Sequence, residues 1–167
     1  MITKHVRLPV IDAAEFHVGD CILVSGRVFA ARDAVLPKIC ETMQLGRLAD
    51  LGVEFEGNAL LHTAVSPAGI GPTSSNKLEI EESFSYMCTA GIKLFMGKGA
   101  LSQRTASILE ESGAAFAVVP PVTALLEKGI KSRRIVAWPE LGMEALWELQ
   151  MQDCPAIIAV AHGESLF

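Results

Sequence analysis

Residues 92–119 read IKLFMGKGALSQRTASILEESGAAFAVV. The stretch opens on an apolar run, IKLFMG at 92–97, and closes on another, AAFAVV at 114–119. Between them Leu101, Thr105, Ile108 and Leu109 recur at helical spacing. Gly113 follows at the place where a left-handed residue ends a helix. The pattern predicts strand, helix, strand. The strands are nearly continuous in apolar residues rather than alternating, so both of their faces are expected to be covered.

The same kind of run recurs as CILVSG at 21–26, ALLHTAV at 59–65, RIVAW at 134–138 and AIIAVA at 156–161. Residues 75–89 set Ile80, Phe84, Met87 and Cys88 on one helical face, with Glu79 and Glu82 off it. A further helix is predicted near Asp33, which can cap it, with Pro37 close to its first turn. Strands alternating with helices specify an α/β fold with a sheet that is at least partly parallel.

The chain has 167 residues and no linker or repeat, so one domain is expected over 1–167. Half of the residues are hydrophobic, yet no unbroken apolar run approaches the ~18 needed to cross a membrane. The first residues, MITKHVRLPVIDAAEFH, lack the layout of a secretory signal. A soluble, cytoplasmic protein is expected. The net charge is -5 with acids and bases mixed, which argues against a nucleic-acid surface. Cys21, Cys40, Cys88 and Cys154 are widely spaced, so no zinc or iron–sulfur site is expected from this chain alone. They are read as buried free thiols.

Three short polar stretches can carry chemistry. GPTSSNKLE at 71–79 joins a glycine turn to a helix start. Gly71 is expected in a conformation closed to other residues, and Thr73, Ser74 or Ser75 can cap the helix. The free N–H groups of a first helical turn suit a carboxylate or phosphate, and Lys77 there is better placed beside an anion than without one. Ordinary capping explains the same residues. GKG at 97–99 leaves Lys98 little steric cover at the end of a strand, where open α/β sheets bind ligands. The spacing is not that of a P-loop, and a plain tight turn is the alternative. In GRVFAARDA at 26–34, Arg32 can grip a carboxylate through two parallel hydrogen bonds, or simply pair with a surface acid. His62 is expected to be a satisfied core histidine. Glu144 and Glu148 stand one helical turn apart and are expected to be solvated.

CILVSGRVFAARDA at 21–34, GPTSSNKLE at 71–79, GKG at 97–99, PELGMEALW at 139–147 and the tail CPAIIAVAHGESLF occur in an order and spacing that resemble one family. This is the β subunit, or C-terminal domain, of the class I fumarase and L(+)-tartrate dehydratase group of iron–sulfur hydro-lyases. The resemblance implies a swivelling β/β/α domain. It implies a hydro-lyase that hydrates or dehydrates a small dicarboxylic acid. It implies a partner α subunit whose cysteines hold a [4Fe–4S] cluster, in a hetero-oligomer or homodimer, with no metal ligand on this chain. By position, Thr73 and Lys98 take catalytic roles, and Arg32, Lys77, Ser74 and Gly71 substrate-binding ones. Asp33 takes a supporting role. Three departures stand out: Ser74 replaces a threonine, Lys77 replaces an arginine, and Val35, Leu36 and Pro37 replace a stretch beginning His-Lys. A lysine lacks arginine's bidentate fork, which opens the substrate to tartrate, mesaconate or another 2-hydroxy acid. A stand-alone anion-binding module of the same fold is the alternative to the enzyme.

Overall fold

The computed structural model describes residues 2–11, 13–71 and 78–167, without the side chains of 78 and 79. Its elements, in chain order, are β1 (Thr3–Arg7), β2 (Cys21–Ala30), α1 (Leu36–Gln44), β3 (Ala59–Leu61), β4 (Val65–Ser66), β5 (Gly69–Ile70), α2 (Leu78–Thr89), β6 (Leu94–Gly97), α3 (Gln103–Ser112), β7 (Ala115–Val118), α4 (Thr123–Gly129), β8 (Ile130–Ala137), β9 (Leu146–Ala161) and β10 (Glu164–Ser165). The α/β expectation holds. β2, β3, β6 and β7 run parallel, and β9 pairs antiparallel with both β7 and β2. These five strands close into a barrel-like ring. β1 continues the sheet beside the first half of β2, and β8 lies along the first half of β9.

Alternation along the short strands explains the continuous apolar runs. Ala59, Leu61, Leu94, Met96, Ala115 and Ala117 point to one core, shared with Val28, Leu149 and Ile158. Leu60, Phe95 and Phe116 point to the other, where α1, α2 and α3 bring Ile39, Phe84 and Leu109. Each strand therefore has no solvated face, and period-2 polarity has nothing to report. Phe84 stacks on Phe95 with ring centroids 4.3 Å apart. Each such buried ring adds roughly 1.5–3 kcal/mol of burial free energy.

α2 and α3 follow their sequence patterns. Ile80, Phe84 and Met87 are buried and Glu82 is exposed. Ser102 caps α3 by accepting from the Thr105 N–H, and Gly113 closes it at φ 64°. Other expectations are corrected. α1 begins at Leu36 rather than at Asp33; its N-cap is Val35, whose side chain makes no cap hydrogen bond. The run 59–65 is two strands with a break at 62–64. The run 156–161 is only the end of β9, whose sixteen residues begin at Leu146. None of the four cysteines forms a disulfide, and only Cys154 is fully buried. Among the described residues, no helix is long and apolar enough to cross a membrane.

Glu148 is the largest correction. It lies on β9, only 7% exposed, not on a solvated helical face. Arg27 Nε of β2 stands 2.6 Å from Glu148 Oε1, and Arg134 Nε of β8 donates to Oε2 at 2.7 Å. The carboxylate thus ties the three neighbouring strands together. The alternation from Leu146 to Gln152 marks a strand, and Glu148 is buried within it because two cations come with it.

Candidate functional site

The parallel strands end together. Ala30 stands opposite Leu61, and Leu61 opposite Met96. Backbone bonds continue the ladder past the strand ends, from Ala31 N–H to the Leu61 carbonyl (3.0 Å) and from His62 N–H to the Met96 carbonyl (2.9 Å). Adjacent strands are about 4.8 Å apart, so the turns that leave β2, β3 and β6 begin within roughly 10 Å of one another. Arg32 follows β2 by two residues, His62 is the first residue past β3, and Lys98 is the first past β6. The fold therefore brings the ARDA and GKG motifs to one edge, at the carboxyl ends of parallel strands.

The third motif joins them at its first residue. Gly71 donates its N–H to the Ala64 carbonyl at 2.7 Å, and its own carbonyl accepts from Thr63 Oγ1 at 2.8 Å. Gly71 has no positive φ, contrary to expectation. Space constrains it instead, because a Cβ there would lie 3.2 Å from the Ala64 carbonyl oxygen. The hairpin β4–β5 leading into it is anchored from below. Glu127 of α4 accepts the Ile70 N–H at 2.9 Å and is itself bonded by Arg133 of β8. That guanidinium holds the Glu127 carboxyl below its usual range, with a smaller contribution from the Ile70 N–H. Thr73, Ser74 and Lys77 lie outside the described residues, as do the capping roles expected for Thr73, Ser74 and Ser75.

On the other side of the edge, Glu81 of α2 accepts from the Ser102 N–H at 2.8 Å and from Thr105 Oγ1 at 2.9 Å. The N-cap of α3, Ser102, four residues after Lys98, is thereby fixed to α2. Lys98 and Asp33 are half-buried. Arg32 is 26% exposed at its side chain; its Nε lies 3.9 Å from Glu144 Oε1 and makes no hydrogen bond. Glu144 comes from PELGMEALW, so this fourth motif also reaches the edge. The pair matches the alternative read from the sequence, a surface acid beside Arg32, but which acid was not legible, since no spacing rule connects residues so far apart.

His62 departs from expectation in one respect. It is fully buried, as a core histidine should be, but among the described residues neither ring nitrogen has a hydrogen-bond partner. Phe84 meets the ring edge-on at 5.4 Å between centroids, and Phe95 lies at 6.4 Å. Its Nδ1 is 3.2 Å from where a Cβ of Gly97 would be, so any larger residue there would crowd the ring. Burial lowers the His62 pKa to about 4, against a smaller opposing pull from Asp33. The ring is neutral near pH 7.

Residues 4–167 match the family described as Fumarase C-terminus. The chain belongs to the Fumarase C-terminus family. Among its relatives is a putative L(+)-tartrate dehydratase subunit beta of Methanocaldococcus jannaschii, 28% identical over 93% of this chain and 86% of the relative. The L(+)-tartrate dehydratase subunit beta of Escherichia coli K12 is 26% identical, over 93% and 81%. The aerobic class I fumarate hydratase of Escherichia coli K12 is 26% identical over 88% of this chain, which spans only 28% of that longer protein. In this member of the Fumarase C-terminus family, no group of three or more His, Cys, Asp or Glu gathers as a metal site among the described residues. The scattered thiols do not fit a cluster.

Proposed function

We propose that this chain is the β subunit of a hydro-lyase that adds water to, or removes it from, a small dicarboxylic acid of the malate or tartrate kind. The observation that carries the proposal is the convergence of Arg32, Gly71 and Lys98 on one strand-end edge, in a family whose relatives bear dehydratase and hydratase names. The closed sheet with its helical layer supports the swivelling β/β/α type of domain. A partner α subunit would carry the [4Fe–4S] cluster, and the chemistry assigned here is confined to this chain's residues.

Dehydration of a 2-hydroxy acid requires loss of a proton α to a carboxylate, which builds further negative charge. Arg32 would hold one carboxylate, and Lys98 and Lys77 would stabilise the developing charge. Thr73 would move a proton, which requires an activating neighbour because a free hydroxyl is a weak acid and base. Asp33 would support Arg32; Ser74 and Gly71 would line the turn.

The test is anaerobic reconstitution with the α subunit and a screen of dicarboxylic acids for hydration and dehydration. The expected result is turnover that Thr73→Ala abolishes while assembly persists. A chain that binds dicarboxylates alone, with no turnover in the reconstituted pair, would instead be an anion-binding module.

A further inference from the structure

We propose that His62 is a substrate-binding residue, its imidazole donating a hydrogen bond to the carboxylate that Arg32 holds. The inference rests on the function proposed above and deepens it. Two observations carry it together. Buried polar side chains in folded proteins are almost always hydrogen-bonded, and each exception calls for an explanation. Here His62 Nδ1 and Nε2 and Arg32 Nε are all buried without a hydrogen bond, at the ends of the adjacent strands β2 and β3.

A second feature gives the ring its place. β3 stops at Leu61, and the His62 N–H still follows the ladder to Met96, so the side chain is aimed to the helical side between Phe84 and Gly97. Leucine or phenylalanine would fill such a space with no unmet polar atom. A neutral imidazole keeps one N–H to offer an anion and adds no charge beside Arg32. Hydrogen bonds to a charged acceptor exceed those between neutral groups, which makes the gain large enough to offset an unmet nitrogen in the empty site.

The experiment uses the full chain labelled with 15N-histidine, with the His62 ring signals assigned by their loss in His62→Leu. Malate and succinate are titrated in, and affinity is measured by calorimetry, with and without the α subunit. The expected result is a shift of a His62 ring nitrogen on saturation. His62→Leu should weaken both acids by about tenfold or more while leaving the melting temperature equal or higher, because an apolar side chain relieves the unmet nitrogens. A purely structural histidine would change melting and leave affinity alone. Binding that neither moves the ring signal in the unmodified chain nor depends on His62 overturns the inference and leaves the proposed function standing. If neither acid binds in either preparation, the proposed function itself fails and takes the role of His62 with it.

Discussion

Glu148, on β9, and His62, just past the end of β3, are both buried polar residues of one sheet, and the chain treats them in opposite ways. Glu148 sits within β9, near its start, and has two arginines within 2.7 Å. His62 sits one residue past a strand end and receives nothing at either nitrogen. The first arrangement gives the carboxylate two cations and holds β2, β8 and β9 together. The second is incomplete, and it lies along the strand-end edge that the segments of Arg32 and Lys98 leave. Satisfied burial marks what the fold needs. Asn58 Oδ1 and Arg27 Nε are also buried without a hydrogen bond, so the position of His62 at the strand-end edge, and not the unmet burial alone, points to a further molecule.

Four experiments break or sharpen this contrast. Phe84→Ala strips the stacked ring from beside His62 and should cost about 3–5 kcal/mol of stability in denaturant unfolding. It should also bring the His62 pKa back toward its ordinary value by admitting water, as read by 15N shifts. Lys98→Ala should lower turnover of the reconstituted pair by about a hundredfold, roughly 3 kcal/mol in the barrier, with melting unchanged. A parallel loss of stability would place Lys98 with Glu148 rather than with the site.

The third is a pH dependence. His62 titrates at about 4 in the folded chain and near 6.5 when unfolded. The unfolded chain therefore takes up the proton first as pH falls, and the folded state is fully favoured above 6.5 and loses ground down to about 4. Relative to His62→Leu, the unmodified chain should lose about 2 kcal/mol between pH 7.5 and 5. Asp20 and Glu127, whose folded pKa values are lowered, contribute only as pH falls below their ordinary carboxylate range. Equal slopes for the two proteins would mean that the ring is not desolvated. The smallest effect is expected for Glu148→Gln, about 1 kcal/mol, because Arg27 and Arg134 remain partly exposed and return to water. Acid binding should not change.

The α/β class was legible because the signals that fix it are local. Residues 92–119 contain two strands, a capped helix and the glycine that ends it, all within hydrogen-bonding reach in sequence. The long β9 was not, because Pro139, Gly142 and the acids near Glu144 imitate a helix start, and only the alternation after Leu146 contradicts them. Lys98 and Arg32 could be singled out by their glycine and strand-end settings. The relation of His62 to Gly97, and of Glu144 to Arg32, depends on strand register, which sequence patterns do not encode. Asp33 illustrates the same limit: a good capping residue stands where a cap is plausible, and the helix begins after it.

Closure of the five-strand ring has a consequence for how such a unit travels between genes. Each ring strand pairs with two others of the ring, and the free sheet edges fall on strands outside it, such as β1 and β8. A fold of that kind closes its own core whether it makes up most of a polypeptide or one part of a longer one. Relatives in which it corresponds to 86% of a polypeptide, or to 28% of one, are two arrangements that the same closed ring permits.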